Sequence, residues 1–377
     1  MNPEGKIQIR LAWDGQCIRR ARLESRPLPR LDALLRGKSV AQAAEIIPML
    51  FSVCRRAQGT AAASALAAAQ GAPADQGAQW RERLVLCEAL MELLWRFLLD
   101  LPAILDAKTD PGLLAQLRKR LAASTAVEPD EAAWQIFMIG FEQTVRRALL
   151  GSASAYWHDI CEVESLMRKL AREDTTTAKV LLECWHGSGR WGGSEIALMP
   201  QANRLNVLAE LAPGLESDAE FAQFPHWRGE LMETGALARM RHHPMLNELL
   251  LQEGTSVMAR LLARLVEVGE LFMRLRTPSS EAEAWVQWAT LRSGVGLAWV
   301  QTARGLLMHW VELDGAGTIA NYRIVAPTEW NFHPAGPCVQ GLIGKDAGSA
   351  EQAQRNAELM VQALDPCVAY EIEVEHA

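Results

Sequence analysis

The chain opens on strict alternation. Ile7, Ile9, Leu11 and Trp13 interleave with Lys6, Gln8, Arg10 and Ala12, and Asp14-Gly15 follows as a turn signal. A period of two ending in such a turn predicts a β-hairpin over 5–24, with 17–23 as the returning strand. The period then changes. Leu31, Leu34 and Leu35 fit a short helix stopped at Gly37, and Ser39 caps a second helix that Pro48 ends or kinks. From Ala57 to Gln70 nearly every residue is Ala, Gly, Ser or Gln. A helix of that composition has high intrinsic propensity and a thin profile, so it is expected inside a helical bundle. After a loop at 71–79, apolar residues recur three and four apart from Trp80 to about Thr290. Breaks fall at Pro102, Asp110-Pro111, Gly151, 187–193, Pro213-Gly214 and His243-Pro244. Two strands are expected at 306–313 and 318–325, then a helix at 350–364 and a short tail. The pattern predicts an α+β chain, a predominantly helical body with small β elements near both ends and no βαβ rhythm.

Composition narrows the setting. Of 377 residues, 49% are apolar and 22% charged, which is ordinary for a globular chain and excludes disorder. The net charge of −7 gives no electrostatic footprint for nucleic acid. The most apolar stretch, 89–105, is interrupted by Glu92, Arg96 and Asp100, which read as an ion-paired stripe on one amphipathic helix, so no membrane insertion is expected. The residues from Met1 to Arg10 show no apolar leader, and seven cysteines are scattered without a CxxC pair. That usage fits a reducing, cytoplasmic setting.

Local motifs say little alone. The run Gly187-Ser188-Gly189-Arg190-Trp191-Gly192 matches GxGxxG, but a helical pattern precedes it where a dinucleotide fingerprint needs a strand. His242-His243 has no cysteine or acidic partner at metal-ligand spacing. Cys54, at the start of the small-residue helix, and Cys367, in Asp-Pro-Cys, are the informative pair. If the two met in the fold, their thiolates would suit a soft transition-metal fragment.

Longer segments add to this pair. They are Leu31-Asp32-Ala33-Leu34-Leu35-Arg36-Gly37-Lys38, MLFSVCRRAQ at 49–58, Ala303-Arg304-Gly305 with His309-Trp310, IANY at 319–322, VAPTEWN at 325–331 and Asp365-Pro366-Cys367. In this order they resemble the large subunit of nickel–iron hydrogenases, whose corresponding segments read FE-x-IL-x-GR, R-x-C-G-x-C-x-x-x-H, APRG with G-H-W, IANYQ, VPTTWN and DPC-x-x-C-x-x-H. The resemblance implies that large-subunit-like fold as a single domain over 1–377, with a hairpin at 5–24, a helical body at 31–300 and C-terminal strands and helix at 306–377.

The departures decide the chemistry that the resemblance implies. Four cysteines hold the metals in that family. Here Phe51 replaces the first terminal ligand and Tyr370 the second bridging one, leaving Cys54 and Cys367. Gln58 and Glu373 stand at histidine positions, and Asp32 at a glutamate position. Little chain follows Cys367 for a protease to remove. The pattern resembles the HupK/HoxV type of hydrogenase expression protein. That resemblance implies no hydrogen turnover and no nickel, but a transient carrier of the Fe(CN)2(CO) fragment that works with the hydrogenase large subunit and maturation chaperones. Cys54 and Cys367 would hold the iron. Arg304 and Thr328 would donate to the cyanides, with Gln58, Tyr370 and Asp32 nearby, and positive charge from Arg55, Arg56 or Arg304 would favour the thiolates. His376 is at most a structural ligand. The rival readings are a metal-free module that imitates the large subunit during assembly or shields it from oxygen, and a residual redox enzyme.

Overall fold

The structure is a computed structural model, and it describes residues 5–24, 31–72, 77–152, 156–187, 189–277 and 284–377, side chains at 31 and 32 excepted. The expected hairpin is present. β1 (Lys6–Trp13) and β2 (Ile18–Glu24) pair antiparallel, and the alternation buries Ile7, Ile9 and Leu11. After α1 (Leu31–Leu35), α2 (Val40–Met49) starts in a capping box. Ser39 Oγ accepts from Gln42 N while Gln42 Oε1 accepts from Ser39 N. α3 (Arg55–Ala69) follows, with Cys54 at its N-cap.

α4 (Ala78–Trp95) continues through a π-turn at Arg96–Asp100 into Leu101–Ile104, so Pro102 does not break the helix as expected. The Leu98 carbonyl, which Pro102 cannot reach without an N–H, accepts instead from Asp110 N at 2.9 Å. α5 (Pro111–Ser124), α6 (Glu131–Leu150) and the long buried α7 (Val257–Arg276) complete much of the helical core.

Four antiparallel strands form one sheet in sequence order: β3 (Val286–Arg292), β4 (Val295–Thr302), β5 (Gly305–Leu313) and β6 (Ile319–Val325). β5 and β6 are the expected pair. β3 and β4 occupy a stretch expected to be helical body. β4 is buried on both faces, so its sequence VGLAWVQT shows no alternation to betray a strand. The chain ends through α8 (Pro327–Asn331), α9 (Ala350–Leu364) and β7 (Ala369–His376). The supposed tail is therefore a strand. It pairs in parallel with β1, from Lys6 against Ala369 to Trp13 against His376.

The alanine-rich α3 is buried as expected, yet it lies on the four-stranded sheet as well as beside helices. A Cβ at Gly296 on β4 would sit 2.1 Å from the Ala65 carbonyl oxygen, and Thr290 Oγ1 donates to Ala68 O at 2.6 Å. Only small residues on both sides permit that approach. His309, Val311 and Tyr322 share the sheet face toward α3, while Trp299, Met308 and Trp310 on the other face pack a second core with Leu211, Phe221 and Trp227.

Candidate functional site

Two chain ends deliver the thiols. Cys54 sits at the entry to α3, whose next free amides are taken by Glu88 from α4: its carboxylate accepts from Arg56 N at 2.8 Å and Ala57 N at 2.9 Å. Cys367 follows α9, where Asp365 takes the left-handed conformation at φ 57° and turns the chain. Thr328 on α8 holds Cys367. The two side chains are 3.1 Å apart, and Thr328 Oγ1 accepts from Cys367 N at 3.4 Å. Both cysteines are buried, and neither is in a disulfide.

Their electrostatics correct one expectation. Burial pushes the Cys54 thiol well above its ordinary value, and charge on Cys367, Glu92 and Glu88 acts in the same direction. Arg304 opposes them and is outweighed, while Arg55 and Arg56 are exposed. The protein alone therefore keeps Cys54 as a thiol. Cys87, Cys184 and Cys338 are pushed to about 12, chiefly by burial.

Arg304 is the hub of a buried charge network. Its Nη1 donates to Glu92 Oε2 at 2.6 Å, and its Nε lies 3.3 Å from Asp365 Oδ1. Asp365 Oδ1 also accepts from Arg96 Nε at 2.8 Å, and its other oxygen faces Arg264 at 3.8 Å. Burial alone would raise the Asp365 carboxyl, but Arg304, Arg96 and Arg264 hold it down at about 2. Glu92 goes the other way. Burial lifts it to about 8, with Glu88 and Asp365 adding to the rise against Arg304. One guanidinium thus serves two carboxyls, and Asp365 takes the charge while Glu92 keeps the proton. Glu92 Oε1, Arg304 Nε and Asp365 Oδ2 are buried without a hydrogen bond among the described residues. Polar capacity is left over beside the thiols, as a site for a polar guest requires.

Of the ion-paired stripe expected of Glu92, Arg96 and Asp100, only one pair forms within the helix. Arg96 does pair with Asp100, but Glu92 is buried against Arg304 and Arg96 reaches inward to Asp365. Of the other residues singled out in the sequence, Gln58 is buried on α3 and its Nε2 donates to Cys54 Sγ at 3.8 Å. Tyr370 stands half-buried on β7 and accepts from Gln362 Nε2 at 3.1 Å. Glu373 pairs with Arg10 on the surface. Asp32 belongs to α1, but its side chain lies outside the described ones. Gly187 ends a helix, Thr176–His186, so no strand precedes the GxGxxG run, and Ser188 lies outside the described residues. Sequence reasoning missed Glu92 and Asp365 as members of the site. A carboxylate inside the most apolar stretch of the chain was the available signal.

Among the described residues no three His, Cys, Asp or Glu side chains group as a ligand set, and no helix is long and apolar enough to cross a membrane. The arrangement offers two soft sulfur donors, a fixed guanidinium and a hydroxyl. Such a set suits a soft, low-valent metal fragment bearing its own ligands better than a bare divalent ion.

The fold is that of a nickel–iron hydrogenase large subunit. The nickel–iron–selenium hydrogenase of D. vulgaris Hildenborough superposes with a TM-score of 0.63 over 94% of both chains at 16% identity. The profile of the nickel-dependent hydrogenase family matches residues 215–372. Across its length the chain is 31% identical to the hydrogenase expression/formation protein HupK of Bradyrhizobium diazoefficiens, covering 99% of this chain and 97% of that protein. It is 32% identical to HoxV of Cupriavidus necator, covering 91% and 90%. The chain belongs to the HupK/HoxV family of hydrogenase expression/formation proteins.

Proposed function

We propose that this chain serves hydrogenase assembly as a non-catalytic scaffold, carrying the Fe(CN)2(CO) fragment on Cys54 and Cys367 and passing it toward the large subunit with the help of maturation chaperones. The observation that carries this reading is that the two thiols, from opposite ends of the chain, are both buried and near enough to interact electrostatically with each other and with Arg304. Names of relatives as expression/formation proteins support the assembly role.

The chemistry is consistent. Iron bearing cyanide and carbonyl is soft and takes thiolate well. Two sulfur ligands leave coordination positions open, so the cargo can depart. The guanidinium of Arg304, whose Nε makes no hydrogen bond among the described residues though it lies near Asp365, and the hydroxyl of Thr328 beside Cys367 are the donors available to cyanide nitrogens. Nickel has no place in this reading, because Phe51 and Tyr370 cannot supply the missing thiolates.

Infrared spectroscopy on protein purified without oxygen, after production alongside the hydrogenase maturation machinery, tests the proposal. Cyanide and carbonyl bands are expected, absent in Cys54→Ala and in Cys367→Ala and unchanged in Cys161→Ala. A wild-type protein that folds and binds its partners but shows no such bands overturns it. A metal-free module that imitates the large subunit then remains.

A further inference from the structure

The buried polar chain that begins at Cys54 does not stop at Gln58. Gln58 Nε2 points at the Cys54 sulfur from one helical turn away on α3. Its Oε1 lies 2.8 Å from His309 Nε2, and His309 Nδ1 lies 2.8 Å from the Tyr322 hydroxyl. His309 on β5 and Tyr322 on β6 are diagonal neighbours, since His309 pairs with Ile324 and Val311 with Tyr322. Gln58, His309 and Tyr322 are all buried, so their polar atoms must satisfy one another.

A chain like this has two self-consistent directions. In the first, the Tyr322 hydroxyl donates to Nδ1, Nε2–H donates to Gln58 Oε1, and the Gln58 amide donates to sulfur. In the second every bond reverses. The Cys54 S–H then donates to Oε1, the Gln58 amide to Nε2 and Nδ1–H to the Tyr322 oxygen. That second direction leaves the phenolic proton facing no acceptor among the described residues. The first direction strands only the S–H of a protonated Cys54, a weak donor, so stranding the phenolic O–H is the costlier outcome and the tyrosine selects the first. A doubly protonated ring is excluded, because burial pushes His309 down to about 3.

We infer that Tyr322 and His309 are positioning residues, which fix Gln58 with its amide donor toward the Cys54 sulfur. A donor aimed at sulfur favours the anionic or metal-bound form over the thiol. The signal was in the chain already, as His309 and Tyr322 stand in the HW and IANY segments, but only the fold joins them to Gln58. The consequence for iron rests on the carrier reading. The direction of the chain does not, and its test needs no metal.

The test is long-range proton–nitrogen correlation NMR on the full chain labelled at its histidines. His309 is expected as the Nε2–H tautomer, and an Nδ1–H or doubly protonated ring overturns the inference. In Tyr322→Phe the ring loses the donor that fixes it, so a mixture of tautomers is expected. An unchanged pure Nε2–H form rules out control by Tyr322. A second readout follows alkylation of each cysteine by mass spectrometry. Cys54 should react several-fold more slowly in Tyr322→Phe and in Gln58→Leu, with Cys184 and Cys338 unchanged. Unchanged Cys54, or a joint rise in all three thiols from general loosening, sinks the positioning role. Failure of the infrared bands in wild-type protein would defeat the carrier while leaving the tautomer result intact.

Discussion

Arg304 is where single residues matter most, because it stands between two carboxyls in a space closed to water. Replacing it with methionine leaves Asp365 and Glu92 with one fewer cation, and removal of one partner from a buried pair costs roughly 3–5 kcal/mol. Denaturant unfolding of Arg304→Met checks this, and a loss below about 1 kcal/mol would show the network to be loosely held. Glu92 makes a prediction of opposite kind. Its carboxyl is lifted from an ordinary 4.5 to about 8, so between those values the folded chain holds a proton that the unfolded chain has released. Stability from this group is fully present below 4.5 and falls as pH rises toward 8. Glu92→Gln cannot titrate, so the variant should show a flatter dependence of melting temperature on pH across that window. Equal slopes would mean that Glu92 is ionised throughout. Cys54, Cys367, Arg304 and Thr328 are legible in the sequence because they sit in quotable segments. Glu92 is not, since its role depends on a partner 212 positions away.

At the scale of elements, the contact of α3 with the sheet supports the site, because it sets Gln58, which reaches Cys54, against His309. Gly296→Ala would drive a methyl group against the Ala65 carbonyl and the Ala69 amide, which as backbone cannot swing aside. A destabilisation of about 3 kcal/mol or more is expected, against less than about 0.5 kcal/mol for Gly315→Ala in an open turn. Chemical denaturation of both variants decides it, and similar losses would refute the tight contact. The hairpin, the capped α2, the two strands after Gly305 and α9 could be read directly, because each carries a local period or cap. β3 and β4 could not. One face of their sheet meets α3 and the other a second core, so β4 reads as continuous apolar sequence that a buried helix would share. Pro102 was misread for a different reason: its carbonyl partner is satisfied from outside the helix, by Asp110.

For the molecule as a whole, the decisive long-range feature is the return of the chain to its start. β7 lies beside β1, and its half-buried Tyr370, Ile372 and Val374 pack on the main core. Cys367 is thereby anchored on both sides, by α9 before it and by β7 after it. β7 does carry a local mark, the alternation of Glu371, Glu373 and Glu375 with those apolar residues, but its partner β1 lies at the other end of the chain, and the segment was expected only as a short tail. Two sources of hold are separable. The surface pairs of Glu371 with Lys6 and of Glu373 with Arg10 are exposed on both sides and contribute about 0–1 kcal/mol each. The strand itself supplies a ladder of backbone bonds and three partly buried side chains. Glu371→Ala with Glu373→Ala should therefore leave the melting temperature nearly unchanged. A chain ended after Val368 should melt lower and, on the proposed carrier function, lack the cyanide and carbonyl bands expected of the full chain even at temperatures where it stays folded, because the hairpin of β1 and β2 survives without a third strand while Cys367 loses its downstream anchor. If the truncated chain keeps those bands at full intensity, Thr328 and the turn at Asp365 suffice to seat the thiol, and β7 serves the stability of the molecule alone.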